Sequence, residues 1–321
     1  MAEPQPCPLC ADTRFRELKR FADGVVVGEC VGCGLVYTPL RHPEPDTVHG
    51  DLPLADLLER YGPILRGERR HYRAGVYRDY LRRIARHAPG GRLLDVGAAH
   101  GFFLAEARAL GHQVAGVEAH PDMAAFARSA LGLDVVEGRW LEVDPPPGPF
   151  DVVTFNDALE YMPDPVSALR KAAELLRPRG IVFVKTPNAA YFRLRHAAAV
   201  WLGRDPGPGE AFGPSRRVVH FTTDTLGRAV RAARLKPVES GSPQPVPSPQ
   251  WHRTGGVWLE WEAPPWKGLP ERLLRRALDG LGRLEALVTA HENHLSQALY
   301  VIAAPATESY SRAAPAPPSP A

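Results

Sequence analysis

Cysteine is scarce here, and where it is missing excludes one kind of protein. Only 4 of the 321 residues are cysteine, all within the first 33, so no disulfide framework braces the rest of the chain. Long apolar runs are also missing. Stretches such as HAAAVWLG at 196–203 fall far short of the ~20 residues a membrane-spanning helix needs. The opening residues MAEPQPCPLC carry no basic-then-apolar leader pattern, so export is not expected and a cytoplasmic location is. Charge of one sign is lacking too: 39 Lys and Arg against 36 Asp and Glu leave a net +3, with Arg spread along the whole chain. That bias is too weak to argue for a nucleic-acid partner by itself. The hydrophobic share of 44% is ordinary for a globular protein, and the length suits one α/β domain plus a small extra module. Pro (34) and Gly (29) are plentiful and gather in a few stretches that read as loops or tails.

The cysteines stand in two pairs, Cys7-Pro8-Leu9-Cys10 and Cys30-Val31-Gly32-Cys33, with nineteen residues between them. This is the spacing of a four-cysteine zinc site. Tetrahedral Zn²⁺ takes thiolates at about 2.3 Å, and a two-residue gap lets one tight knuckle supply two of them. Gly32 and Gly34 loosen the second knuckle, and VVVGEC and GLVYTP read as the strands entering and leaving it. Two disulfides are the alternative, disfavoured by a reducing cytoplasm. A closed set of four thiolates leaves no open position, so the expected metal is structural.

Residues 1–40 thus read as a zinc ribbon and 41–90 as a linker followed by a helical segment. The linker, 41–54, is rich in Pro and His. The segment from Asp56 to Arg86 has a helical pattern broken near Gly62-Pro63 and Gly67, with a stripe of Arg66, Arg69, Arg70, Arg73, Arg78, Arg82, Arg83 and Arg86. A solvated helix face is preferred for that stripe over a polyanion or RNA surface. From 91 to 304 strands and helices alternate: strands at 92–96, 113–117, 134–136, 150–155 and 180–185, and helices near 102–110, 121–130 and 165–176. Such alternation calls for a mostly parallel sheet covered on both faces, an α/β fold. A further helix starts with Thr223 or Asp224 as N-cap, followed by strands at PVESGS and SQALYVIAAPA. Between these lies an insertion, about 244–296, and residues 305–321 read as a disordered tail.

One stretch carries the chemistry: LLDVGAAHGFF, 93–103. An apolar strand runs into Asp95, and Gly97 and Gly101 then bracket a turn before a helix. Such a turn lets backbone approach a ligand, and the helix N-terminus offers free N–H groups. The spacing is D-x-G-x-x-x-G rather than the G-x-G-x-x-G of pyrophosphate recognition. An acid in the turn would repel phosphates and welcome a cation. The next strand ends on Glu118, suited to a ribose diol. A ribose with a sulfonium and amino-acid cation and no phosphate is S-adenosylmethionine.

From about Arg92 to Pro237 the chain resembles the class I S-adenosylmethionine-dependent methyltransferases, the ubiquinone and small-molecule type, with an N-terminal four-cysteine ribbon. The carriers are LLDVGAAHGFF, VAGVEAHPDMAAFAR, FDVVTFNDALEYMPDPVSALRKAAELLRPRGIVFVKTPN and RRVVHFTTDTL. Ala99 stands where many members have a glycine. Tyr161 and Arg217 replace two histidines of the commoner pattern, whereas His220 is kept. The resemblance implies a Rossmann-like, doubly wound seven-stranded sheet. It implies that Asp95, Gly97, Ala98, Gly101 and Phe102 cradle the methionine end of the cofactor, and that Glu118 and Ala119 hold the ribose. Arg139 and Trp140 would border the adenine, with Trp140 either a stacking wall or, equally, core or surface packing, and Asn156 and Asp157 would face the methyl group. His220 is the candidate general base, with Tyr161 and Asp157 behind it, unless it is a loop histidine bonded to backbone or the acceptor is already anionic and needs no base; Glu160 would order the substrate side or cap the next helix. The segment 188–217 reads as an acceptor lid.

The expected reaction is methyl transfer to a small-molecule acceptor, O-directed, in a biosynthetic pathway. An RNA methyltransferase gripping rRNA or tRNA through the ribbon is one alternative, and a non-catalytic zinc-ribbon adaptor another. The lack of an Asn-Pro-Pro-Tyr type motif and of a dense basic patch speaks against nucleic acid. Trp251, Trp258, Trp261 and Trp266 are read as packing on the adjacent Leu-rich helix, with a substrate lid or a homodimer contact as alternatives.

Overall fold

The computed structural model describes residues 4–21, 24–40, 53–201, 203, 217–243, 250–254, 257–261, 281 and 296–306. Most of the linker, the 204–216 part of the expected lid, the Leu-rich helix of the insertion, Trp266 and the tail beyond 306 lie outside them.

The chain opens with three antiparallel strands, β1 (Phe15–Arg20), β2 (Val26–Cys30) and β3 (Val36–Leu40). Two helices follow, α1 (Leu54–Leu65) and α2 (Ala74–Ala85). Next come β4 (Arg92–Val96), α3 (Phe102–Ala109), β5 (Gln113–Glu118), α4 (Pro121–Leu131), β6 (Val135–Glu137) and β7 (Phe150–Asn156). A 3₁₀ turn at Leu159–Tyr161 leads to α5 (Pro165–Glu174), β8 (Leu176–Pro187) and α6 (Ala189–Trp201). The chain closes with β9 (Val219–His220), α7 (Thr223–Ala232), β10 (Leu235–Gly241), a hairpin of β11 (Gln250–Thr254) and β12 (Val257–Trp261), and β13 (Ala298–Pro305).

Seven strands form the main sheet in the order β10-β13-β8-β7-β4-β5-β6. β13 alone runs against the direction of the other six strands. The central strands are near-continuous apolar runs, Leu93 and Leu94, Val152 and Val153, Ile181 to Val184, all fully buried. A parallel sheet covered on both faces requires that composition.

The helical segment differs from the expected pattern at one of its two breaks. α1 continues through Gly62-Pro63 and ends at Leu65. Leu57 and Tyr61 pack on Phe102 and Phe126, which holds the helix across the one backbone bond that Pro63 removes. The break expected near Gly67 is present, at 66–73, where Gly67 takes φ +73°. Likewise, the N-cap of α7 is Thr222, one residue earlier than expected. Its hydroxyl accepts from Thr225 N, while Thr225 Oγ1 accepts from Thr222 N in a reciprocal box.

The ribbon is joined to the rest by hydrogen bonds as well as by chain. Its sheet has a fourth strand, β9, with Val36 opposite His220 and Tyr37 opposite Val219. One buried cluster runs from Leu35 and Tyr37 through Phe221 and Leu226 to Val153 and Phe155 of the main sheet.

Candidate active site

The four cysteine sulfurs lie within 4.8 Å of one another. Cys7 and Cys33 Sγ are 3.5 Å apart, and Cys10 and Cys30 Sγ 3.4 Å. Four thiolates at about 2.3 Å around a tetrahedral ion stand about 3.8 Å apart, so the set fits such an ion with small adjustments. Burial pushes the Cys7 and Cys33 thiols up, Cys33 to about 11. Four thiolates in this place therefore need a cation beside them. Among the described residues no other group of three or more His, Cys, Asp or Glu side chains is placed to hold a metal.

At the carboxyl end of β4 the chain turns sharply. Gly97 and Gly101 adopt φ +79° and +80°, and Ala99 between them takes φ +48°. A Cβ on Gly97 would stand 2.7 Å from Ala158 Cβ, and one on Gly101 2.5 Å from Leu133 Cδ1. Gly97 N and Ala98 N donate to Val117 O at 2.8 and 3.0 Å. Asp95 is buried, and its Oδ1 accepts from Thr154 Oγ1 at 2.5 Å and Asn156 Nδ2 at 3.1 Å. Burial pushes its carboxyl up to about 8, with those two donors pulling the other way and Glu118 adding to the rise. Glu118 Oε2 accepts from Ala99 N at 2.7 Å and Oε1 from His120 N at 2.8 Å, so this acid also shapes the turn. A cationic nucleoside suits these residues: two carboxyls sit beside a turn whose backbone a side chain would block. Asn156 Oδ1, in addition, is a buried acceptor without a partner among the described residues.

The contact between Gly97 and Ala158 ties that turn to the segment after β7. There Asp157, at φ +54°, accepts from Lys185 Nζ at 2.5 Å and Arg73 Nη1 at 3.1 Å. Burial raises its carboxyl, but the two cations outweigh that and it ends below the usual range. Three residues on, Glu160 is 1% exposed, and its Oε2 accepts from Thr186 Oγ1 at 3.1 Å. Burial first, and the Asp157 charge second, push its carboxyl up to about 7. Glu160 opens onto a cleft with Phe192, Arg217 and His220 on its other walls.

The other expected site residues have these surroundings. Trp140 is 4% exposed in the core; its Nε1 donates to Ala168 O at 3.0 Å, and Lys171 Nζ sits 4.7 Å from its ring centre. With its N–H used and its face occupied, Trp140 packs the sheet rather than forming an open stacking wall. Arg139 and Ala119 are exposed. Phe102 is capped by His71, whose ring stacks on it at 4.3 Å. His220 is buried on β9, and burial followed by the Arg217 charge pushes its ring down to about 3. Such an imidazole resists taking a proton, which argues against its expected role as base. Tyr161 is hydrogen-bonded to Arg217, and burial pushes its hydroxyl up, so it too holds its proton. Glu160 does not cap α5: Asp164 does, accepting from Ser167 N at 2.9 Å. Lys185 and Arg73 were not expected at the site. Lys185 was hidden within a strand pattern, and Arg73 within the basic stripe.

A family model described as a methyltransferase domain matches residues 69–240, more than half of the chain. The chain belongs to that family, with the Rossmann-like seven-stranded sheet of the class I S-adenosylmethionine-dependent methyltransferases and a four-cysteine cluster ahead of it. Among individual proteins, it is similar to a ubiquinone biosynthesis O-methyltransferase of Xanthomonas campestris pv. campestris, 39% identical over 128 residues, or 36% of this chain and 52% of that one. The counterpart from Xanthomonas euvesicatoria pv. vesicatoria is 36% identical over 126 residues with the same coverage. The chain spans about half the length of these curated relatives. A methyltransferase structure from Mesorhizobium loti is 18% identical, with a TM-score of 0.46, covering 71% of this chain and 97% of that one.

Placing Trp140 in the core leads to one expected outcome. Trp140→Ala should cost about 3–5 kcal/mol of stability, read by thermal or denaturant unfolding. Trp140→Phe should cost less and leave the dissociation constant of S-adenosylhomocysteine within about twofold.

Proposed function

We propose that this protein transfers a methyl group from S-adenosylmethionine to a hydroxyl of a small-molecule acceptor in a biosynthetic pathway, and that its four cysteines hold a structural Zn²⁺. One observation carries the reading. The glycine turn suited to the cofactor packs directly, through Gly97 and Ala158, on the segment that leads into a buried cleft with apolar and ionisable walls. The O-methyltransferase names of the two Xanthomonas relatives agree with it.

When bound, S-adenosylmethionine supplies an activated methyl group on a sulfonium sulfur. The protein's part is to hold, orient and exclude water. In this reading Asp95, Gly97, Ala98 and Gly101 border the methionine end and Glu118 the ribose, while Asn156 Oδ1 faces the reacting centre. Asp157, pinned by Lys185 and Arg73, fixes the floor of the site. Phe192, Val219 and Pro187 give the acceptor an apolar wall. The RNA alternative loses support because the basic stripe is largely paired. Arg66, Arg78 and Arg86 face Glu68, Glu106 and Glu239, and Arg82 and Arg83 face Asp79. No helix among the described residues is long and apolar enough to cross a membrane.

Labelled methyl donor, the purified protein and a host extract test the reading. A labelled small molecule bearing an O-methyl group is expected; label confined to RNA or to nitrogen would overturn it.

The Asp95 carboxyl adds a pH dependence. Its folded value of about 8 lies above the ~3.9 of an unfolded aspartate. Its contribution is fully present below pH ~4 and is lost as pH rises through 8. The ligand-free protein should therefore lose Tm between pH 5 and 8, and Asp95→Asn should flatten that slope. A slope unchanged in Asp95→Asn would refute the assignment.

A further inference from the structure

In the cleft beside the cofactor turn, one carboxyl oxygen has no partner among the described residues. Glu160 Oε1 is buried and accepts no hydrogen bond, while Oε2 is held by Thr186. Opposite it, Arg217 Nε is a buried donor without a partner among the described residues. Leaving both unmade is costly unless something enters between them. The backbone around them is fixed from two sides: Val218 N donates to Glu160 O at 2.9 Å, and Thr38 of the ribbon donates to Val218 O.

We propose that the Glu160 carboxylate is the base that takes the proton of the acceptor hydroxyl, bound in the cleft between the 3₁₀ turn and β9. This rests on the O-directed reading above. In the step, the acceptor O–H bond breaks and its proton passes to Glu160 Oε1. A lone pair of the acceptor oxygen forms the new bond to the methyl carbon, and the electron pair of the old S–CH₃ bond stays on sulfur, which becomes a neutral thioether. Glu160 then releases the proton to solvent.

The groups around Glu160 support that role. Asp157 on the preceding segment raises its proton affinity; Arg217 and Lys185, across the cleft and on β8, lower it. Thr186 donates a hydrogen bond, and Tyr161 keeps its proton against Arg217. His220 is held neutral by burial and Arg217. With its carboxyl near 7, Glu160 can both take and release a proton close to neutral pH.

The test compares the full-length wild type with Glu160→Gln, Glu160→Asp and His220→Asn, using as acceptor the product-forming fraction of the host extract. Wild-type kcat/KM is expected to rise with pH and level off near pH 7. Glu160→Gln should lose 10²–10⁴-fold in rate, the usual range for removing such a group. It should lose the pH-dependent limb as well, with S-adenosylhomocysteine affinity kept within about threefold. Glu160→Asp should recover part of the rate and keep the limb, and His220→Asn should keep it too. A Glu160→Gln enzyme that retains the limb, or a rate within threefold of wild type, overturns the proposal. Carboxyl ¹³C titration of Glu160, assigned by its absence in Glu160→Gln, reads the same group without any acceptor: a midpoint near 7 supports the role and one below 5 overturns it. O-methyl product with an unaffected Glu160→Gln would sink this proposal alone, whereas N-methyl product would sink the reading beneath it.

Discussion

Gly97→Ala is expected to weaken S-adenosylhomocysteine binding on the order of 100-fold while the sheet stays folded. Two separate costs meet at this position. An alanine at φ +79° sits in a left-handed backbone region at a cost of roughly 1–2 kcal/mol. Its Cβ would also stand 2.7 Å from Ala158 Cβ, and overpacking of that kind costs about 1–3 kcal/mol. The easiest relief is a shift of the turn away from Ala158. That shift displaces the 98–101 backbone and the Ala99 N–H bond to Glu118. Since 1.4 kcal/mol is tenfold in affinity, the sum reaches the stated range. Adding Ala158→Gly removes the clash but not the dihedral cost, so the double variant should recover only part of the loss in calorimetric titration. Full recovery would mean that the left-handed backbone contributes nothing.

Cys30→Ser is expected to abolish bound metal and to lower acceptor turnover more than tenfold, with cofactor affinity kept within about threefold. The split follows from where the ribbon touches. Cys30 ends β2, which pairs with β3, and β3 in turn pairs with the strand carrying Val219 and His220. Loss of a structural metal removes folding free energy on the order of 10 kcal/mol from such a module, so β3 should come loose and leave β9 without its partner. Arg217 and His220 would then no longer be held in the acceptor cleft. Asp95, Gly97 and Glu118 lie on β4, β5 and the turn between β4 and α3, away from the ribbon, and should still bind. Metal analysis, calorimetry and amide exchange at β9 check the three parts. Turnover unaffected by metal loss would show that the ribbon is not a wall of the acceptor site.

Where local pattern decides structure, the chain was readable in advance. The alternation of buried runs and amphipathic segments marked the strands from Arg92 to Pro187 and the helices between them. The two Cys-x₂-Cys knuckles marked a four-cysteine cluster, because such spacing has few other uses. What could not be read were consequences of distant contacts. Trp140 looked like a ligand wall because it follows a strand end, but Ala168 and Lys171 from α5 claim its N–H and its face. His220 looked like a base by its residue type, and only the fold encloses it beside Arg217. Glu160 lacked a signal for the opposite reason: a glutamate ahead of a helix reads as a cap, and nothing local reveals that Thr186, 26 residues on, takes one of its oxygens. The pairing of β3 with β9 spans some 180 residues and has no counterpart in any sequence pattern.

The most direct test of the account is calorimetric titration of the metal-loaded protein with S-adenosylhomocysteine and, separately, with NAD. The account predicts one site per chain for the sulfur nucleoside, sharply weakened in Gly97→Ala, and no heat from the dinucleotide. Saturable binding of NAD with none of S-adenosylhomocysteine would contradict it.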